Sequence, residues 1–162
     1  RSIRVHGKGS FKYDNIRIGM NSRLDTIQAA LLIPKLKAFQ KYELEKVNEA
    51  AAKYTSYLRE NVKTPVIPVG YSSSWAQYTI QLESEEQRNG LQAFLKGNGI
   101  PSMVYYPKAM HLQQAFADQH LYQACPVTER LCKTVLSLPM HPYLSDEEIQ
   151  MVSEKVIAFF NR

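Results

Sequence analysis

Between Phe39 and Asn61 the residues Leu44, Val47, Ala51, Tyr54 and Leu58 recur at three- and four-residue intervals, with Lys41, Glu45, Glu49 and Lys53 on the opposite side. That is the period of an α-helix with one apolar stripe, about six turns long. A stripe of this length demands a covering surface, so the rest of the chain must supply one. Upstream, Ser22 with Asp25 three residues on reads as a capping box, and Leu24, Ile27 and Leu31 share a face, which predicts a preceding helix. Pro34 is expected to kink or end it.

The covering elements are legible downstream. TPVIPVGYSSS at 64–74 reads as an extended edge entering a loop. Ala76, Tyr78, Ile80 and Leu82 then alternate with Gln77, Thr79 and Gln81, the pattern of a strand with one buried face. Ser84 and Gln87 open a helix with Leu91, Phe94 and Leu95 inward, and GNG at 97–99 stops it. Met103–Tyr106 predicts a second strand, 128–133 a short helix and VLSLP at 135–139 a third strand. Ser145 and Glu148 form another capping box, opening a last helix that buries Ile149, Val152, Val156 and Phe159. The expected architecture is α+β: about three mainly antiparallel strands packed by helices, preceded by an arm and the long helix. The domain boundary is placed at 21/22, with 1–21 as arm and 22–162 as a single domain.

At 162 residues the chain is long enough to bury a sizeable core, and no apolar run approaches a membrane span. Of the net charge of +5, most sits in the first 25 residues, where Arg1, Arg4, Lys8, Lys12, Arg17 and Arg23 face only Asp14 and Asp25. These cations are spread along an irregular lead-in and belong to no recognition motif, so nucleic acid is not an expected partner. A local positive field suits a phosphorylated or carboxylated small ligand, or the mating surface of another domain. The start lacks both Met and the apolar core of a secretory signal, which suggests a mature product or an excised piece. Cys125 and Cys132 fit neither a metal spacing nor a redox pair and read as free thiols in a reducing, cytoplasmic setting.

Several motifs carry two readings. GKGS at 7–10 has neither the glycine spacing of a phosphate loop nor a strand before it. His6, His111, His120 and His141 are too scattered for a metal site, and no metal is expected. Asn21 and Arg23 lie at the expected mouth of a helix, where an amide and a guanidinium suit a phosphate and a carboxylate. Equally, Asn21 or Ser22 could be a plain N-cap, with Arg23 pairing Asp25. Tyr105 and Tyr106, ending a strand, would point to opposite faces, one into the core and one outward, where a phenol can stack on a base or bond a sugar.

Taken together, RSIRVHG at 1–7, GMNSRLDTIQAALLIPKL at 19–36, SWAQYTI at 74–80, GIPSMVYYPKAMHLQ at 99–113 and PVTERLCKTVLSLPMHPYLSDEEI at 126–149 resemble the DegT/DnrJ/EryC1/StrS family. These are pyridoxal-phosphate-dependent aminotransferases of amino-sugar synthesis. The matches are in order over nearly the whole chain, and the likeness is to the subgroup acting on nucleotide-linked keto sugars, a UDP-linked 3-keto uronic acid among them.

The resemblance implies the C-terminal small domain of a fold-type I aminotransferase, with the large domain that carries the Schiff-base lysine absent. None of the 12 lysines stands in that motif, so no catalytic residue is assigned and the chain alone is expected to bind no cofactor and to transfer nothing. In the parent enzyme the resemblance implies pyridoxal 5'-phosphate, an amino group from glutamate, a nucleotide-sugar acceptor and a homodimer whose sites are shared across the interface. Residue by residue, Asn21 matches the asparagine that reaches the cofactor phosphate of the neighbouring subunit, and Arg23 an arginine near the sugar's carboxylate. Tyr105 and Tyr106 match a substrate-facing His-Tyr-Pro segment, with Tyr105 in place of the histidine. His111 matches a frequent family position with no role attached. A sugar dehydratase of the same family, a non-catalytic nucleotide-sugar-binding module and a dimerisation module are the alternatives. An exposed apolar patch, with self-association, is the sign expected where a covering domain has been removed.

Overall fold

The stripe at residues 39–61 becomes helix α2, Leu44–Leu58, which buries Val47, Ala50, Ala51, Tyr54 and Leu58 on one side. The structure, a computed structural model, describes residues 2–11, 14–114, 116 and 124–162; Arg1, Lys12 and His120 lie outside them. The described elements run α1 (Thr26–Ala38), a π-helical segment (Phe39–Glu43), α2, β1 (Tyr78–Gln81), α3 (Glu85–Gly97), a 3₁₀ turn (Met110–Leu112), α4 (Pro126–Thr134), β2 (Val135–Leu138) and α5 (Asp146–Phe160). The chain divides into two compact units, Arg1–Tyr42 and Glu43–Arg162.

In the second unit, α2 packs along α5, and α3 packs against α4, α5 and β2. Tyr54, Leu58, Tyr78, Ile80, Leu91, Leu95, Leu136, Ile149 and Val156 form the centre of one core. Each fully buried aliphatic side chain here contributes about 1.5–3 kcal/mol relative to exposure. β1 and β2 are antiparallel, with Tyr78 opposite Leu138 and Gln81 opposite Val135. Alternation is kept in β1: Tyr78 and Ile80 are buried, while the Thr79 hydroxyl meets that of Ser137 at 2.8 Å on the other face.

The ends of the helices follow from their sequences. Ser84 Oγ accepts the Gln87 N–H, but Gln87 Oε1 reaches back to Glu83 N–H rather than to Ser84. At the other end of α3, Gly99 takes φ +74, and Ile100 N–H bonds to Leu95 O while Gly99 N–H bonds to Lys96 O. This is a Schellman stop, closed by burial of Ile100 beside Leu95. Both halves of the Ser145–Glu148 capping box are present in α5. Phe159 is only half-buried, with its ring 5.9 Å from that of Phe94.

Three expectations are corrected. The strand at 103–106 shrinks to a single bridge, in which Met103 and Ser137 exchange N–H···O bonds of 3.1 and 2.8 Å on the outer edge of β2. Pro101 and Pro107, which have no N–H to give a ladder, bracket that bridge. On the opposite edge Lys63 makes a similar bridge to Gln81. The capping box at Ser22 does not form, because the Ser22 N–H is taken by Arg4 O at 2.9 Å; α1 starts at Thr26, with Asp25 as an N-cap lacking a side-chain bond. Of the kink or end expected at Pro34, the end does not occur, since α1 runs through it to Ala38. The carbonyl that Pro34 orphans belongs to Ala30, which is exposed and can be solvated.

The first unit is built differently. Residues 2–8 pair antiparallel with 15–22 through bridges Val5–Asn21 and Lys8–Asn15, with Met20 N–H on Ile3 O at 2.8 Å and His6 N–H on Met20 O at 3.0 Å. No described residue of α1 is buried, and Ile27, Leu31, Leu32, Ile33 and Leu36 are exposed. Among the described residues no helix is long and apolar enough to cross a membrane.

Candidate functional site

In the first unit, the arm's pairing brings Asn21 opposite Val5 and sets Arg23 just ahead of α1. The pairing needs two bare Cα atoms. A Cβ on Gly7 would fall 1.7 Å from Arg17 O, and one on Gly19 2.1 Å from Gly7 N. Arg23 Nε donates to Asn21 Oδ1 at 3.2 Å, and both side chains are exposed. Because the amide oxygen accepts that bond, the Asn21 NH₂ is left to donate, beside the remaining N–H groups of the guanidinium. Together with Leu24, Asp25 and Thr26 they line an open depression of about 410 Å³. Neither Asn21 nor Ser22 is the N-cap, and among the described residues no ion pair joins Arg23 to Asp25. What the pair presents is donors only, with positive charge, at the approach to the unsatisfied N–H groups of a helix: an anion-accepting arrangement.

In the second unit, Tyr105 and Tyr106 lie beyond the Met103 bridge, joined by a cis peptide bond, their rings edge-to-face at 5.9 Å and 76°. Neither enters the core, since Tyr105 is 42% and Tyr106 71% exposed. The period-two expectation fails here because no strand carries the two residues. Neither phenol has a hydrogen-bond partner among the described residues. Both border a largely apolar depression of about 500 Å³ shared with Lys108, Met110, Leu131 and Cys132. On its other side Tyr105 meets a depression of about 310 Å³ that includes Ser102, whose buried Oγ lacks a partner among the described residues.

One pair of residues was invisible as a pair in the sequence. His111 Nε2 lies 3.0 Å from Glu129 Oε1, eighteen residues away, with the His111 side chain only 10% exposed. The same oxygen accepts Cys125 N–H at 3.1 Å, closing the start of α4. The only signal available was Glu129 itself, an acid in the first turn of a Pro-initiated helix. The Cys125 N–H first, and His111 second, hold the Glu129 carboxyl below its usual range, with Lys133 adding to the effect. A carboxylate depressed in the folded state stabilises it above the ordinary carboxylate pKa and stops doing so as pH falls through the folded value. Resistance of the 103–113 segment to proteolysis is therefore expected to stay flat from about pH 8 to about pH 5 and to fall only below about pH 4. Resistance unchanged down to about pH 2 would mean that this carboxylate contact does not hold the segment.

Among the described residues there is no group of three His, Cys, Asp or Glu able to hold a metal ion, and Cys125 and Cys132 are both free thiols.

Residues 1–157 match the DegT/DnrJ/EryC1/StrS aminotransferase family. A UDP-2-acetamido-2-deoxy-3-oxo-D-glucuronate aminotransferase of Pseudomonas aeruginosa is 40% identical over 153 residues, covering 94% of this chain and 41% of that protein. A UDP-N-acetyl-3-dehydro-α-D-glucosamine 3-aminotransferase of Acidithiobacillus ferrooxidans is 36% identical, covering 94% and 40%. Among solved structures, a DegT DnrJ EryC1 StrS aminotransferase from Brucella abortus superposes with a TM-score of 0.88 at 44% identity, over 99% of this chain and 42% of that one. DesV of S. venezuelae gives 0.87 at 30% identity, over 100% and 43%. The chain thus spans about two fifths of the length of the curated relatives it matches.

Proposed function

The chain belongs to the DegT/DnrJ/EryC1/StrS aminotransferase family, and from that premise we propose that it forms the small-domain part of an aminotransferase acting on a nucleotide-linked keto sugar. The acceptor is a UDP-linked 3-keto uronic acid and the amino donor is glutamate. The single observation that carries this reading is the match to a UDP-3-oxo-glucuronate aminotransferase at 40% identity over 94% of the chain. Residues 1–21 serve as the arm leading in from a larger cofactor domain, and 22–162 as the small domain.

Pyridoxal phosphate, when bound in the parent enzyme, supplies the electron sink between the donor amine and the sugar ketone. The residues present fit one side of that group. Asn21, its carbonyl taken by Arg23, keeps its NH₂ for a phosphate oxygen, and we assign this contact to the cofactor of a neighbouring subunit in a homodimer. The Arg23 guanidinium pairs with the uronate carboxylate, and the free phenols of Tyr105 and Tyr106 donate to sugar hydroxyls. No lysine of this chain is assigned to the amino-group transfer, so the 162 residues alone transfer nothing.

Three tests follow from these assignments. With glutamate and a keto sugar, transamination and a cofactor absorbance band are expected only when the chain is extended by about 200 residues, one further domain. Activity in the 162-residue chain would mean that one of its own lysines carries the chemistry. In the extended enzyme, Arg23→Ala is expected to raise KM about tenfold or more for an acidic nucleotide sugar and about twofold at most for a neutral one. Equal effects on the two sugars would remove the carboxylate contact. Asn21→Ala should weaken cofactor retention about tenfold or more, the value of one hydrogen bond to a charged group.

A further inference from the structure

The segment 103–113 is tied to one continuous piece of chain, α4 and β2, at both of its ends. At the start, Met103 exchanges two backbone hydrogen bonds with Ser137 of β2. At the finish, His111 Nε2 contacts Glu129 Oε1 of α4 at 3.0 Å from a position 10% exposed. Ala109 is buried, Leu112 N–H bonds to Ala109 O, Gln113 N–H bonds to Met110 O, and Gln113 Nε2 reaches back to Lys108 O. Between the two ties stand Tyr105 and Tyr106, exposed, and with phenols that no described residue engages. A loop fixed at its ends and open at its centre presents whatever it carries there at a defined place.

We propose that the His111–Glu129 contact is a positioning pair that sets the Tyr105–Tyr106 phenols for the sugar substrate. This rests on the reading of those tyrosines as substrate-facing. Glu129 is suited to the task because it is itself immobilised: its Oε1 accepts Cys125 N–H at 3.1 Å, so the carboxylate is held by the helix start before His111 reaches it. In its Nε2–H form His111 donates to that carboxylate across the 3.0 Å contact. Glutamine at 111 carries a donor at nearly the position of Nε2, whereas alanine carries none.

Amide hydrogen exchange on this chain reads the tie, and steady-state kinetics on the extended enzyme read its consequence. His111→Ala is expected to raise exchange in 103–113 about tenfold while leaving α2 and α5 unchanged, and to raise KM for the nucleotide sugar about fivefold with kcat nearly constant. His111→Gln is expected to restore both. Unchanged exchange in His111→Ala overturns the tie. If exchange rises but KM does not, while Tyr106→Phe does raise KM, the tie exists and its positioning role is overturned. If Tyr106→Phe itself leaves KM unchanged, the reading of the tyrosines falls and takes the proposal with it.

Discussion

Replacing Tyr78 with alanine is expected to cost about 3–5 kcal/mol, out of the about 5–15 kcal/mol by which a domain of this size is stable. The ring is fully buried, stacked on Tyr54 at 5.0 Å and 28°, and 5.7 Å from Trp75. Its hydroxyl shares a 2.7 Å hydrogen bond with Thr55 Oγ1 of α2, so one side chain joins strand, helix and loop. Burial raises the phenol's pKa, and it stays protonated at neutral pH. Tyr78→Phe separates the two contributions: it keeps the packing and costs only about 1 kcal/mol for the lost hydrogen bond. Urea unfolding followed by circular dichroism should rank wild type, Phe and Ala in that order. Equal losses for Phe and Ala would mean that the hydrogen bond, not the packed ring, is what stabilises the sheet on α2.

Gly19→Ala is expected to dissolve the paired arm while leaving the second unit's stability untouched. The new Cβ would lie 2.1 Å from Gly7 N, 2.5 Å from Ile3 O and 2.6 Å from His6 C. All three are backbone atoms, so no side chain can swing aside to make room. The local cost is about 3 kcal/mol or more, larger than a short exposed arm can absorb. Hydrogen exchange should show His6, Met20 and Ser22, whose N–H groups close the pairing, losing about a hundredfold in protection. Gly7→Ala should behave alike, since its φ of +75 and a Cβ 1.7 Å from Arg17 O forbid a side chain independently. Full protection in Gly19→Ala would show that the arm is not paired in this way in solution. In the extended enzyme the same substitution should reduce cofactor retention more than Asn21→Ala does, because it displaces the Asn21 backbone rather than one amide group.

How much of this was written plainly in the chain depended on whether a signal was local. The α2 stripe, the alternation of β1 and the Ser145 capping box were read correctly because period and cap chemistry act within a few residues. Ser22 misled because its N–H is taken by Arg4, a partner eighteen residues earlier that no capping rule includes. Met103–Tyr106 has strand-forming residues, yet a strand needs an edge to pair along, and the two edges of the sheet each accept a single bridge. The apolar pattern of Leu24, Ile27 and Leu31 is real, but Leu24 falls ahead of α1 and all three are buried by nothing among the described residues. The pairing of Arg23 with Asn21 instead of Asp25, and of His111 with Glu129, is decided by backbone paths, and spacing alone carries no trace of either.

The single tryptophan gives this molecule a built-in lamp. Trp75 takes φ +46, sends its indole N–H to Asn48 Oδ1 at 2.9 Å and lies against Tyr78, while Asn48 is held in turn by Leu44 O and Ser73 O. The indole is therefore half out of water and hydrogen-bonded only while α2 and the 73–75 turn keep their places. Its emission colour follows the melting of residues 43–162, and the arm carries no second indole to add to it. A disagreement between that colour and the loss of helical ellipticity would itself separate the two units, with no label and no mutation.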